Sequence, residues 1–200
     1  MKKILVPTDF SKISIGALEV AAEIAKKSNA ELTLLHVVEQ ASSSSFSVTG
    51  EWRKEDWADR LYTIKLLEKS KAQLEKLVMD PRFEEIKITG ELRVGNAFHG
   101  MRTIITENKV DLVVMGTHGR AGAVETIIGT NTERVVRHAK CPVLSINKKP
   151  SRVDFKNIVY ATAMHKDEEI FSRMVKKTQQ LYNSTVHLVR INTPGDFQRD

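Results

Sequence analysis

The sequence predicts an α/β fold, an open doubly wound parallel sheet of five strands, and two observations favour it. Short apolar runs alternate with stretches of helical periodicity through roughly the first 150 residues. The apolar runs lack the apolar–polar alternation of a half-exposed strand, which is typical of strands covered on both faces. Right-handed crossovers then place the helices on both sides of the sheet.

The first strand–helix–strand stretch follows this pattern closely. Lys3–Val6 is a short apolar run and predicts a buried strand. Apolar residues at helical spacing predict a helix from Ser14 to Ser28, with Ser11 or Ser14 able to cap its start and Asn29 able to end it. Leu32–Val38 is the second predicted strand.

The middle of the chain predicts a loop, a long helix, a strand and a helix. Residues 40–50 are polar and lack periodicity, which favours a surface loop. Glu51–Met79 is predicted to be a long amphipathic helix, ended by Pro81. Ile86–Val94 is the third predicted strand, Gly95 starts a turn, and Ala97–Glu107 is the helix that follows it.

Three further elements complete the predicted sheet: a strand Val110–Met115, a short helix Asn131–His138 and a strand Pro142–Ile146. In open α/β sheets, ligands bind beyond the carboxyl ends of the strands, where the strand order reverses. The loops that matter most are therefore those after the first, second and fourth strands, namely Pro7–Ser11, Val37–Gln40 and Gly116–Thr130.

Composition excludes several classes of protein. Apolar residues make up 41% of the chain, enough for a core, but no apolar run approaches the about 20 residues of a membrane span. The net charge of +6 is scattered with no basic block, so nucleic acid is a disfavoured partner. Cys141 is the single cysteine, which excludes an internal disulfide. We expect Cys141 to be a small buried hydrophobic residue. We expect a cytoplasmic protein that does not enter the membrane.

A partial internal repeat follows the first 148 residues. Lys156–Thr193 aligns with Lys2–Glu39 at a constant offset of 154 without a gap. Both stretches predict strand–helix–strand, so we expect a domain over 1–148, a linker over 149–155 and a partial second copy over 156–200. Asp9 falls on Ala163 and Pro7 falls on Ala161, so the polar loop of the first copy is not retained.

A glycine-rich segment after the fourth strand is the strongest local motif. It comprises residues 116–122 and the triplet 129–131, which leads into a helix. Glycines allow close approach of backbone N–H groups, and a helix N-terminus favours phosphate. Thr130 can add a hydroxyl donor or serve as the N-cap. The segment is neither a Walker loop nor a dinucleotide fingerprint, and an ordinary strand–helix loop is the alternative.

These residues resemble the ATP-binding universal stress proteins. Gly116-x2-Gly119-x9-Gly129-Thr130 matches the family's glycine loop, and residues 7–11 after the first strand look like its opening. Residues 111–116 and 141–144 are similar to its fourth and fifth strands. The resemblance implies a Rossmann-like sheet with strand order 3-2-1-4-5. It also implies that ATP, or another adenine nucleotide, binds with Mg²⁺ in the first domain and not in the partial repeat.

The resemblance further implies a role for each matched residue. The carboxylate of Asp9 would bind the ribose hydroxyls, while the base and ribose would contact the residues around the strand ends: Pro7, Thr8, Val37 or Val38, Met115 and Gly116. The phosphates would be held by the glycine loop and the helix after it: His118, Gly119, Arg120, Gly129, Thr130 and Asn131.

Several of the residues named above also have simpler possible roles. Asp9 can shape the turn before the first helix, Arg120 can point to solvent, and His36 is expected to be a hydrogen-bonded polar residue. His118 lacks an acidic partner nearby in sequence, which disfavours a general base. No metal-ligand spacing or nucleophile motif occurs, so no catalytic or metal residue is predicted.

The predicted function is a nucleotide-dependent regulator in the stress response. Two alternatives remain. One is a dimerising interaction module with an incidental nucleotide. It would form a homodimer through the edge strand at 142–146 or by docking of the partial repeat. The other is a weak ATPase.

Overall fold

A computed structural model describes residues 1–39, 57–117, 129–148, 150–162 and 169–190. The chain divides into two compact units, Met1–Pro150 and Ser151–Asp200. Within the described residues, no helix is long and apolar enough to cross a membrane.

The first unit is a doubly wound α/β sheet. Its five strands lie in the order β3-β2-β1-β4-β5, and all of the neighbouring strands are parallel, which confirms the predicted fold class and strand order. The elements in chain order are β1 (Lys3–Pro7), α1 (Lys12–Ser28), β2 (Glu31–Val38), α2 (Trp57–Val78), β3 (Ile88–Val94), α3 (Ala97–Glu107), β4 (Leu112–Gly116), α4 (Thr130–His138) and β5 (Val143–Ile146).

Helix α1 has the predicted caps. The hydroxyl of Ser11 accepts a hydrogen bond from the amide of Ser14 at 3.2 Å, so Ser11 is the N-cap and Ser14 lies in the first turn. At the other end Asn29 adopts the left-handed conformation, with φ of 50°. Asparagine tolerates this conformation better than most residues, so it ends the helix at low cost.

Some predicted boundaries differ from the structure. β4 begins at Leu112 rather than Val110, since the carboxylate of Asp111 lies outside the strand and accepts the amides of Lys2 and Lys3 at 2.6 and 3.0 Å. The N-cap of α4 is Gly129, so the prediction that Thr130 caps this helix was wrong: Thr130 is its first residue. The predicted loop over 40–50 lies outside the described residues.

The core occupies both faces of the sheet. On one face, Leu5 and Leu35 pack with Met101 and Ile104 of α3 and with Val135 of α4, and each of these side chains is at most 2% exposed. Burial of a side chain of this size contributes about 1.5–3 kcal/mol. The strands are therefore fixed from both sides, which holds their carboxyl ends in constant positions.

The second unit repeats the first three elements in sequence spacing and backbone pairing. It contains β6 (Asn157–Ala161), α5 (Glu169–Tyr182) and β7 (Thr185–Val189), and β6 and β7 are parallel. The pair Lys3 and Glu31 at the start of the β1–β2 register corresponds to Asn157 and Thr185 at the start of the β6–β7 register, an offset of 154 in both strands. Asn183 also follows α5 with φ of 52°, as Asn29 follows α1.

Candidate functional site

The carboxyl ends of β1 and β4 meet the start of α1. A Cβ added to Gly116, the last residue of β4, would lie 2.7 Å from Cγ2 of Ile13 and 3.4 Å from the amide nitrogen of Ser14. A side chain does not fit there, so glycine allows the first turn of α1 to lie directly on the end of β4. The loops after β1 and β4 are therefore brought together at the point where the strand order reverses.

The loop after β1 is held by the buried residue Thr8. The amide of Thr8 donates to the carbonyl oxygen of Leu35 at 2.8 Å, and its hydroxyl accepts from the amide of Phe10 at 3.0 Å. The same hydroxyl lies 3.1 Å from that of Ser14. Phe10 takes a left-handed conformation, with φ of 62°. These bonds hold a tight turn between β1 and α1.

Asp9 takes part in this turn. Its Oδ1 accepts a hydrogen bond from the amide of Ser11 at 3.0 Å, which forms an Asx turn ahead of the helix. The side chain is half-buried at the carboxyl end of β1. The turn-shaping role considered for Asp9 is therefore present in the structure, and binding of a sugar by the same carboxylate remains a prediction.

His36 links β2 to the loop after β1. Its Nδ1 lies 2.7 Å from the carbonyl oxygen of Thr8, and since a carbonyl only accepts, Nδ1 carries the proton. The ring also lies against Phe10, with 4.4 Å between ring centroids. His36 is thus a hydrogen-bonded polar side chain that positions the loop, as the sequence predicted.

The start of α4 is attached to the end of β4. Gly129 donates its amide to the carbonyl oxygen of Thr117 at 2.7 Å, and the hydroxyl of Thr132 donates to the carbonyl oxygen of Gly116 at 2.9 Å. Gly129 makes no side-chain cap, so it leaves the first amides of α4 without the hydrogen bond that Ser or Asp would accept. The positive end of this helix therefore lies beside β4.

The remaining predicted residues divide by exposure. The side chains of Val38 and Met115 are 3% and 5% exposed, so they belong to the core and could reach a ligand mainly through their backbone. Pro7, Val37 and Asn131 are half-buried, and Thr130 is exposed. The predicted phosphate residues His118, Gly119 and Arg120 lie outside the described residues.

The turn after β3 starts at Gly95, as the sequence predicts. Gly95 has φ of 123°, a conformation that favours glycine, and its amide donates to the carbonyl oxygen of Val38 at 2.9 Å. The amide of Ala97 lies 3.4 Å from the Glu39 carboxylate. The turn thus joins the ends of β2 and β3 at the same edge of the sheet. The sequence did not predict that this turn bonds to the end of β2.

Among the described residues, no group of three or more His, Cys, Asp or Glu side chains is placed to hold a metal ion. Burial, together with the negative charge of Asp111, raises the pKa of the Cys141 thiol to about 11. A thiol with this pKa is protonated near neutral pH and is a poor nucleophile.

Comparison with known proteins decides the family. The model of the universal stress protein family matches residues 1–147, nearly the whole first unit. The chain belongs to the universal stress protein family. Universal stress protein MJ0531 of Methanocaldococcus jannaschii is 32% identical over 151 residues, which cover 76% of this chain and 84% of that protein.

Solved structures share the fold of the first unit. The structure of the hypothetical protein MJ0577 shares 29% identity, with a TM-score of 0.62 over 75% of this chain and 98% of that one. A universal stress protein from Archaeoglobus fulgidus, solved in complex with dAMP, shares 20% identity and the fold, with a TM-score of 0.50 over 74% of this chain and 98% of that one.

Proposed function

We propose that this universal stress protein binds an adenine nucleotide at the carboxyl ends of β1 and β4 and acts as a nucleotide-dependent regulator in the stress response. One observation carries the proposal: α4 starts at Gly129, without a side-chain cap, at the point where the strand order of the sheet reverses. Open α/β sheets bind ligands at this point.

The start of α4 suits phosphate. The amides of its first turn lack intrahelical partners, and the helix dipole favours negative charge there. Thr130 is exposed and can add a hydroxyl donor, with Asn131 next to it. Glu133 is the one acidic residue of the first turn, and the Arg137 side chain pairs with its carboxylate at 2.9 Å, which reduces its repulsion of an anion.

The sugar and base are assigned to the loop after β1. A carboxylate accepts hydrogen bonds from two vicinal hydroxyls, and Asp9 is the acidic residue at the carboxyl end of β1. The backbone of Val37, at the end of the neighbouring strand β2, is proposed to meet the edge of the base. Pro7 and Gly116 are proposed to line the space between the Asp9 carboxylate and the backbone of Val37.

The relative solved with dAMP supports an adenine nucleotide as the class of ligand for this fold. ATP is the form we propose, since the sequence Gly116-x2-Gly119-x9-Gly129-Thr130 resembles the glycine loop of ATP-binding universal stress proteins. Mg²⁺ is proposed to enter with the phosphates, since Mg²⁺ is usually held by substrate phosphates together with one or two carboxylates. Catalysis is not part of the proposal.

Calorimetric titration of the full chain with ATP, AMP and cyclic AMP tests this function. Asp9→Asn keeps the side-chain shape and removes the charge, so we expect at least about tenfold weaker binding of ATP, since a charged acceptor loses about 1.5 kcal/mol or more. Asp80→Asn is the matched control. It removes the charge of an acidic residue that follows α2 and is not among the predicted site residues. Failure of the wild-type protein to bind any adenine nucleotide would refute the proposal.

The edge strand β5 favours a second function, pairing of two copies of the chain. In the described part of the sheet, β5 pairs with β4 alone, and Val143 and Leu144 are only half-buried. The amide of Thr117 donates to the carbonyl oxygen of Ile146, so by alternation the amide of Ser145 points away from β4. It is available for a further strand.

Light scattering of the purified chain tests this pairing. Ser145→Pro removes the outward donor and is expected to give a monomer, whereas Ser145→Thr keeps the donor and should leave a dimer intact. A dimer whose dissociation constant is the same with and without ATP would favour the interaction module over the nucleotide-dependent regulator.

A further inference from the structure

The side chain of His36, in β2, contacts the residues on both sides of Asp9. Its Nδ1 donates to the carbonyl oxygen of Thr8 at 2.7 Å, and its ring lies against the ring of Phe10, with 4.4 Å between centroids. The Thr8 carbonyl belongs to the peptide unit that leads into Asp9. The residue before the carboxylate and the residue after it are therefore both held by one side chain of the neighbouring strand.

The turn that carries Asp9 has an unfavourable backbone. Phe10 has φ of 62°, and this left-handed conformation is costly for a residue with a large side chain. Such a conformation persists only where its surroundings enforce it. Within the turn, the Thr8 hydroxyl accepts from the Phe10 amide at 3.0 Å. The ring of His36 packs on Phe10 from outside the turn, so it ties the turn to β2.

The strand pairing next to this turn recurs in the second unit. The amide of Thr8 donates to the carbonyl oxygen of Leu35 at 2.8 Å. At the offset of 154, the amide of Thr162 donates to the carbonyl oxygen of Val189 at 3.0 Å. The parallel register of β1 with β2 is likewise that of β6 with β7. The two units therefore have the same strand pairing up to the residue that precedes Asp9 or its counterpart.

The side chains around the carboxylate do not recur. Three residues of the first unit are replaced by residues of different chemistry in the second: Asp9, Phe10 and His36 fall on Ala163, Met164 and Arg190. The strands of the second unit thus pair without an imidazole or an aromatic ring at these positions. Pairing of the two strands does not require His36, and its contacts occur in the unit that has the carboxylate.

We infer that His36 is a positioning residue that gives the nucleotide site its specificity for the two ribose hydroxyls. By holding the peptide unit before Asp9 and the ring after it, His36 keeps the carboxylate directed so that it accepts from both hydroxyls at once. A carboxylate that turns away loses one or both of these bonds, whereas the base and the phosphates are contacted by other residues. This inference rests on the proposed binding of an adenine nucleotide.

A nucleotide that lacks both ribose hydroxyls separates positioning from general damage to the site. Calorimetric titration of the full chain with ATP and with dideoxy-ATP compares the affinity with and without the contact to Asp9. The wild type should bind ATP at least about tenfold more tightly. His36→Leu should weaken ATP binding at least about tenfold and leave binding of dideoxy-ATP within about twofold, so the preference for ATP disappears.

Two further variants complete the comparison. His36→Asn replaces the imidazole with an amide whose N–H lies close to the position of Nδ1, so it should keep the bond to Thr8 and recover part of the preference for ATP. Thr33→Val is the matched control, since Thr33 is a half-buried residue nearer the start of the same strand. This change should leave both affinities within about twofold of the wild type.

A measurement on the nucleotide-free protein tests the positioning directly. Hydrogen exchange at the amide of Phe10 should be at least about tenfold faster in His36→Leu than in the wild type, because the turn is released from β2. The inference is overturned if His36→Leu keeps the preference for ATP, if it weakens both nucleotides equally, or if exchange at Phe10 is unchanged. A wild type that binds neither nucleotide would instead refute the proposed function, and this inference with it.

Discussion

The amide of Gly129 donates to the carbonyl oxygen of Thr117 at 2.7 Å, and a Cβ at Gly129 would lie 2.9 Å from the same oxygen. The backbone of Gly129 is ordinary, with φ of −59°, so glycine is required there by space and not by conformation. This contact fixes the start of α4 against the end of β4, and it couples the position of the proposed phosphate site to the packing of the sheet.

Gly129→Ala is therefore expected to displace α4. We expect a loss of about 1–3 kcal/mol in the free energy of unfolding, as for overpacked sites, together with weaker nucleotide binding. Urea denaturation and calorimetry measure the two effects. Gly90→Ala is the control, because the atoms nearest to the new methyl, at 3.1 and 3.2 Å, belong to the side chains of Val78 and Leu74, which can shift more readily than a backbone oxygen. Equal effects of the two changes would contradict the steric argument.

The helix caps at Asn29 and Asn183 give a matched prediction. Both residues are left-handed, with φ of 50° and 52°. Asn29→Ala should destabilise the first unit by about 1 kcal/mol, because the left-handed conformation is costly for alanine, whereas Asn29→Gly should be neutral or stabilising. The same pair of changes at Asn183 should alter the second unit alone. Thermal unfolding and hydrogen exchange distinguish the units.

The Cys141 thiol should react slowly in the folded protein. Burial raises its pKa from 9.0 to about 11. At pH 8 the thiolate fraction is then lower on the order of 100-fold, and alkylation should slow in proportion. Because ionisation is disfavoured in the folded state, stability is retained below pH 9 and declines as the pH rises towards 11.

The rate of alkylation in buffer, compared with that in concentrated urea, measures this effect. Asp111→Asn removes the smaller cause and should recover only part of the difference. Rapid alkylation of the folded protein at pH 8 would show that the thiol is accessible and ionised.

Asp80 is expected to titrate well below an ordinary aspartate. Hydrogen bonds from the Arg82 guanidinium, at 2.8–3.1 Å, and from the Arg82 amide lower the pKa of Asp80 to about 2. The stabilising contribution is complete above pH 3.8 and is lost as the pH falls towards 2. Carbon-13 titration of the carboxyl measures the pKa. Arg82→Gln removes the guanidinium but keeps the backbone amide, so it should return the pKa only part of the way to that of an ordinary aspartate.

Hydrogen exchange should separate matched strands of the two units. Leu5 and Val159 occupy equivalent positions, yet their exposed fractions are 0% and 67%. We expect the amide of Leu5 to exchange only through global unfolding and that of Val159 to exchange at least about tenfold faster. Comparable protection of the two amides would contradict this expectation and show that β6 is covered in solution.

The sequence predicted the elements well because local signals act together at them. Ser11 and Asn29 bound α1 with side chains that suit the caps, and the apolar runs of β1, β2 and β4 are buried strands, whereas β3 and β5 are mostly half-buried or exposed. Boundaries failed where a tertiary contact decides. Asp111 was predicted to lie in a strand, but its carboxylate accepts the amides of Lys2 and Lys3. The N-cap of α4 is Gly129 and not Thr130, and the contact of Gly129 with Thr117 leaves no space for a side chain there.

The candidate site was predicted in part for a similar reason. Asp9, Gly116 and Gly129 stand out as polar or glycine residues at strand ends, and the parallel topology brings their loops together. The turn at Gly95 was predicted, but its contact with β2 was not. That contact depends on the pairing of β2 with β3, which places the amide of Gly95 at the carbonyl of Val38.

The constant offset of 154 has a practical consequence. The molecule contains an internal comparison, because the same strand–helix–strand backbone occurs twice. Its matched side chains are buried in the first unit and more exposed in the second. Residues exchanged between the two units, such as Leu5 with Val159, would separate the intrinsic preference of a side chain from the influence of its surroundings within a single sample.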